Sequence, residues 1–159
     1  MPYEIVPFRA EHARAWYALN RAWLDEHHLY EPADERQLAD PVGTILDAGG
    51  AIFIALRGRD VVGTAAIAPH GPGELELIKL TVHESARGEG LGRRLADTCL
   101  AHARALGAAR VVLVSSSRLG AALKLYESMG FEHRPLPDAL PYATADVYMV
   151  VSLDTGRAH

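Results

Sequence analysis

The spacing of apolar side chains divides this chain into short strands and amphipathic helices. Residues 74–107 carry the clearest pattern, ELELIKLTVHESARGEGLGRRLADTCLAHARALG. Leu75, Leu77, Leu80 and Val82 are bounded by turn formers, which predicts a largely buried strand. Leu77 and Leu80 stand three apart, so strict alternation slips by one residue between them. A β-bulge produces such a slip and turns backbone N–H groups toward whatever lies beside the strand. From Leu91, the positions Leu95, Cys99 and Leu106 keep a helical period, and Gly107 provides a stop.

The same reading extends along the rest of the chain. Residues 3–8 form a first strand, and 11–29 a helix carrying Trp16, Leu19, Trp23 and Leu24 at threes and fours. Residues 33–48 are helical, with Asp40-Pro41 placed as an N-cap and N1 that would divide them into two short helices. Strands at 51–56 and 61–68 are joined by the hairpin signal Arg57-Gly58-Arg59-Asp60. Residues 110–115 are apolar and β-branched, a buried strand. Ser116 or Ser117 can cap a helix that runs to Met129 and stops at Gly130. A short strand at 131–134, a stiff loop around Pro135, Pro137 and Pro141, and a last strand at 145–153 complete the order β-α-α-β-β-β-α-β-α-β-β. The strand–helix–strand unit at 74–115 predicts a parallel pair inside a mixed sheet. Without repeat, linker or low-complexity tract, residues 1–159 read as one domain.

Composition narrows the function classes. Net charge is −4, and the 16 basic residues form no long runs, which argues against nucleic acid as a partner. The longest apolar runs fall far short of a membrane span, and MPYEIVPFR lacks a signal-peptide layout. The single cysteine, Cys99, lies on an apolar helix stripe, where a packed thiol is the natural reading. It excludes an internal disulfide and fits a reducing, cytoplasmic setting. The eight histidines form no set with metal-ligand spacing, so no metal is expected.

Between the organising strand and its helix sits Arg87-Gly88-Glu89-Gly90-Leu91-Gly92. Glycines let backbone amides approach a ligand closely, and a helix start leaves its first N–H groups unpaired and electropositive. Together they make an anion site suited to phosphate or pyrophosphate. A tight turn needing glycine for geometry alone is the plainer alternative, but three glycines at alternate positions before two arginines favour the anion. The dinucleotide G-x-G-x-x-G pattern fails, because its last glycine would fall on Arg93 or Leu95, and the P-loop lysine is absent.

What remains, R-x-x-G-x-G after a strand ending L-x-V, resembles the acyl-coenzyme A loop of the GNAT superfamily of N-acetyltransferases. SRLGAALKLYESMGF is similar to that family's second signature, and the resemblance spans residues 50–153. It implies an α/β (α+β) fold with a mixed, mostly antiparallel central sheet, a central parallel pair and helices on both faces. It also implies acetyl-CoA as cosubstrate. Carried over by position, the backbone of Leu80, Thr81 and Val82 would meet the pantetheine arm, with the Leu80 N–H at the carbonyl oxygen. Arg87, Gly88, Glu89, Gly90, Leu91, Gly92 and Arg93 would wrap the pyrophosphate. Ser116 stands closest to the position where relatives often carry an asparagine, a departure that shortens the reach of that contact.

Acetyl transfer to an amine needs a base for the ammonium and an acid for the departing thiolate. Tyr126 matches the tyrosine that serves the family as acid, against the alternative of an amphipathic core tyrosine. Glu76 is placed where some members carry a carboxylate base acting through water; a solvent-facing strand glutamate is an equal alternative. Lys79 could neutralise Glu74 or Glu76, and His83 is a further basic group in the turn. The acidic stretch holding Asp25, Glu26, Glu31, Asp34 and Glu35 would attract a cationic acceptor, or be a solvated surface. The expectation is an N-acetyltransferase for a primary amine, small molecule or amino acid favoured, by direct attack. A protein or peptide acceptor, or a non-catalytic acyl-CoA sensor, are the alternatives. Family habit implies a homodimer through terminal strands.

Overall fold

The computed structural model describes residues 2–153. Strand β1 (Glu4–Pro7) leads through a 3₁₀ turn into helices α1 (Ala13–Glu26) and α2 (Pro32–Ala39), then a π-helical turn at Val42–Leu46. There follow β2 (Ala51–Arg57), β3 (Asp60–Gly71), β4 (Glu74–Val82), α3 (Leu91–Ala105) and β5 (Arg110–Ser115). Helix α4 (Gly120–Ser128), β6 (Glu132–Arg134) and β7 (Val147–Ser152) close the order. The strands form one sheet, β1-β2-β3-β4-β5-β7-β6. Every neighbour is antiparallel except β4 and β5, which run parallel.

Alternation along the strands sends apolar side chains to both faces, and the helices cover both. Leu91, Leu95 and Leu100 of α3, with Tyr126 of α4, join Leu75, Leu77, Val111 and Leu113 in one cluster. Trp16 and Leu24 of α1, with Leu38 of α2, join Ile52, Ile54 and Ile78 in the other. Each large side chain buried in this way is worth roughly 1.5–3 kcal/mol, so the central strands are fixed from two sides.

The slip between Leu77 and Leu80 is a bulge in β4. Thr64 faces Thr81 and Ala66 faces Ile78, so two steps along β3 oppose three along β4. The extra residue accommodates Lys79 at φ 54°, a left-handed conformation that a side chain adopts only when its surroundings hold it. Those surroundings are polar and buried. The Thr64 hydroxyl donates to the Lys79 carbonyl at 2.7 Å, the Asn20 amide donates to Thr64 at 3.1 Å, and Thr81 donates to Asn20 at 2.7 Å. Beyond the bulge, β4 leaves its parallel neighbour. Pairing with β5 covers only Glu74–Arg110, Leu75–Val111 and Glu76–Val112, while β5 stays in register with β7 to Ser115. A bulge adds twist to its own strand, and the two strands diverge.

Some boundaries differ from the sequence expectation, each for a local reason. Helix α1 stops at Glu26, because His28 turns left-handed at φ 57° and the Leu29 N–H folds back to Leu24. The segment at 33–48 is indeed divided at Asp40, whose carboxylate accepts the Gly43 N–H at 2.9 Å, though the second piece is a π turn. Helix α4 begins at Gly120, not at a Ser116 or Ser117 cap. Both hydroxyls are used in the preceding loop, Ser117 donating to Asp146 at 2.6 Å and Ser116 accepting from the Arg118 N–H. Among the described residues, no helix is long and apolar enough to cross a membrane.

Candidate active site

Where β4 and β5 part, a cleft of about 150 Å³ opens through the sheet. Glu76, Leu80, Thr81, Ser116 and Tyr126 all line it, brought together from one strand, a loop and a helix. Leu80 and Val82 are half-buried and lean on the α3 cluster, whereas Thr81 faces the other way and is tied to Asn20. The bulge therefore sets which backbone edge of residues 79–81 borders the opening.

The glycine loop lies beyond the open end of β4. Gly88 and Gly90 hold φ 81° and 79°, and no atom stands within 4 Å of where a side chain would begin. Both positions need glycine for conformation, and the space in front of them is free. Among the described residues, no backbone carbonyl takes the N–H groups of Gly88, Glu89 or Gly90. The first N–H groups of α3 have no partner inside the helix, and the positive end of its dipole lies at the same place. Leu91 is buried at 1% exposure, so only its backbone faces the loop. The charged side chains brace the loop from outside. Arg87 donates to the Val82 carbonyl at 3.0 Å, Glu89 accepts from the Tyr3 hydroxyl at 2.8 Å, and Arg93 donates to Ser128 at 3.1 Å. A side chain begun at Gly92 would meet Val82 and Leu125 at ordinary contact distance.

Tyr126 is buried, its ring edge-on to Phe131 with centroids 5.8 Å apart. Burial pushes its phenol up to about 12, so it holds its proton firmly. Glu76 is half-buried, and desolvation raises its pKa, offset in part by His70 and Lys79. Among the described residues, neither the Tyr126 hydroxyl nor the Glu76 carboxylate takes part in a hydrogen bond. Glu74 contrasts with Glu76: Arg110 at 2.8 Å and His70 at 3.0 Å hold its carboxyl below the usual range, at the closed end of the fork. Lys79 forms an ion pair with neither of them, since its ammonium meets Asp34 at 2.7 Å. His83 pairs with Ser85 and borders a separate shallow groove beside the β2–β3 hairpin.

The acidic segment is not the open rim that its composition implies. Asp25 holds Arg21, Glu35 accepts from the hydroxyls of Tyr17 and Tyr30, and Asp34 holds Lys79. Glu31 accepts from the N–H groups of Ala143 and Thr144 at 2.7 and 3.0 Å and from the Thr144 hydroxyl at 2.5 Å. Burial would raise the Glu31 pKa, but these bonds outweigh it and lower the carboxyl. They tie the proline-rich segment to the start of α2 and bring Tyr142 and Thr144 over the cleft. Asn20 and Trp23 enter the site region without having been singled out in the sequence as site residues. Asn20 left one signal, a polar residue four after Trp16 and four before Leu24 on an otherwise apolar stripe.

A mixed sheet forked at its one parallel pair, with a bulged strand leading to an amide-lined helix mouth, is the architecture that the two signatures imply. The chain matches the acetyltransferase (GNAT) family over residues 9–131 and belongs to that family. It is 32% identical over 115 residues to N-acetyltransferase family 8 member 2 of Rattus norvegicus, covering 69% of this chain and 51% of that protein. The chain thus spans about half the length of such curated relatives. In fold it superposes on a GNAT-family acetyltransferase of Staphylococcus aureus with a TM-score of 0.87 at 16% identity, covering 95% of this chain and 99% of that one. It also superposes on a phosphinothricin acetyltransferase of Sinorhizobium meliloti, solved with acetyl-CoA, with a TM-score of 0.81 at 20% identity over 100% and 92% of the two chains.

Proposed function

We propose that this domain transfers an acetyl group from acetyl-CoA to the primary amine of a small molecule by direct attack. The observation that carries the proposal is the fork between β4 and β5, in which the Tyr126 hydroxyl and the Glu76 carboxylate stand without hydrogen-bond partners among the described residues. The residues fit the cosubstrate. The amides of Gly88 to Gly92, with free space in front of Gly88 and Gly90 and the α3 dipole behind, suit a pyrophosphate, and Arg87 and Arg93 add positive charge while bracing the loop. The Leu80 and Val82 backbone would take the pantetheine arm, with Ser116 at the cleft wall.

Acetyl-CoA supplies the activated carbonyl, and the chain supplies proton control and polarisation. An amine with a pKa of about 10.4 arrives protonated at neutral pH. Glu76, in its ionised form, would accept that proton through water. Its raised pKa makes it a better base than an ordinary glutamate. The Leu80 N–H would stabilise charge on the carbonyl oxygen. As the nitrogen–carbon bond forms and the carbon–sulfur bond breaks, the Tyr126 hydroxyl would give its proton to the sulfur, leaving an amide and free coenzyme A.

Calorimetry with coenzyme A and an assay of thiol release from acetyl-CoA across an amine panel test this reading. The expected result is binding together with amine-dependent release. Binding without release for any amine would favour a non-catalytic sensor, and absence of binding by folded protein would overturn both. At 100 times Kd, coenzyme A should also add about 2.7 kcal/mol of stability.

A further inference from the structure

We propose that the acceptor is a monoamine with an apolar body and no carboxylate, because Asp34 pairs with Lys79, the one cation that lines the cleft among the described residues. This rests on the acetyl-transfer reading above and specifies the substrate class of the same site.

Among the described residues, three charged side chains line the cleft: Glu76, Asp34 and Lys79. Asp34 and Lys79 are a sealed pair, 4% and 8% exposed at the side chain and 2.7 Å apart. Each has further partners. The second Asp34 oxygen accepts the Glu31 N–H at 2.9 Å, and the Lys79 ammonium lies 5.7 Å from the centre of the Tyr142 ring. A substrate carboxylate entering here would find no free cation, and a buried charge without a counter-ion is strongly disfavoured. A second ammonium, as in a polyamine, would find Glu76 already engaged with the reacting nitrogen and Asp34 already paired.

Apart from Asn20 and Thr81, which are bonded to each other, the rest of the wall on the α1 side is apolar: Trp23, Leu24, Leu29 and Ile78, with Tyr142 and Ala145 opposite. Such a surface gains from an aryl or alkyl body. The volume of about 150 Å³ suits a small acceptor. The arrangement reads as selection by omission: one carboxylate for the amine, apolar walls for the remainder, and a cation masked from the substrate.

The test compares 2-phenylethylamine, phenylalanine and spermidine as acceptors with acetyl-CoA, measuring kcat/KM by thiol release. The first should exceed each of the others by about 100-fold, reflecting the cost of burying an uncompensated charge. Equal or better turnover of phenylalanine or spermidine would overturn the proposal while leaving acetyl transfer intact. Release with none of the three, nor with any other amine, would instead overturn the transfer reading on which it rests. Asp34→Asn unmasks Lys79, and the phenylalanine to phenylethylamine ratio should rise by at least about tenfold. An unchanged ratio in folded Asp34→Asn protein, verified by circular dichroism, would show that Lys79 does not govern the choice and would overturn the masking argument.

Discussion

The two ends of the cleft treat their polar groups in opposite ways. At the glycine loop and the fork, donors and acceptors are left open: the amides of Gly88 to Gly90, the Tyr126 hydroxyl and the Glu76 carboxylate. At the α1–α2 end, polar groups on and beside the acidic segment, read as either an acceptor-attracting rim or a solvated surface, are spent on the fold. Glu31 clamps residues 143 and 144, Asp34 holds Lys79, Glu35 holds two tyrosines, and Asn20 braces the bulge. An unpaired polar group near a cleft costs stability and is available for chemistry, whereas a satisfied one stabilises and is not. Exposure of charge in a sequence is therefore a poor guide to which acidic residues greet a substrate.

Substitutions can break this contrast, because open groups should cost activity and spent groups stability. The largest effect is expected at Tyr126→Phe. It should lower kcat about 100-fold, the scale of one general acid, with coenzyme A affinity from calorimetry and thermal stability nearly unchanged. A Tyr126→Phe protein as active as wild type would remove the phenol from the chemistry. At the other end, Asn20→Leu leaves Thr64 and Thr81 without their shared partner in a buried setting. A loss of roughly 2 kcal/mol in denaturant unfolding is expected, together with slower turnover if the bulge relaxes. An Asn20→Leu domain with native stability would mean that the network is incidental to the Lys79 conformation.

Smaller effects sharpen the same contrast. Glu31→Ala removes three hydrogen bonds to residues 143 and 144 and should cost about 1 kcal/mol. Faster amide exchange confined to the proline-rich segment would mark the released clamp, whereas exchange spread over the whole sheet would contradict it. Glu76→Gln should act in the opposite sense on stability. Folding raises this carboxyl above its ordinary 4.5, so the native state binds the proton more tightly than the unfolded chain. Wild-type stability therefore falls as pH rises from 4.5 through the raised value, and that cost persists at neutral pH. The Gln variant should melt slightly higher than wild type at neutral pH, with the gap closing below 4.5, while its turnover drops. The pH profile of wild-type turnover should lose activity on the acid side above the usual glutamate range.

What the amino-acid order determined by itself was whatever depends on neighbours in the chain. The three-residue gap from Leu77 to Leu80 announced the bulge, alternate glycines announced the helix mouth, and Asp40-Pro41 announced the break between short helices. Periodicity of side chains and the backbone freedom of glycine are local properties, so they can be read locally. Tertiary structure alone decided the fate of the polar groups. Lys79 meets Asp34 across 45 residues, Glu31 meets Thr144 across 113, and Ser117 turned to Asp146 when it could have capped a helix. An ion or a hydroxyl takes whichever partner the folded chain delivers, and local spacing carries no trace of that choice.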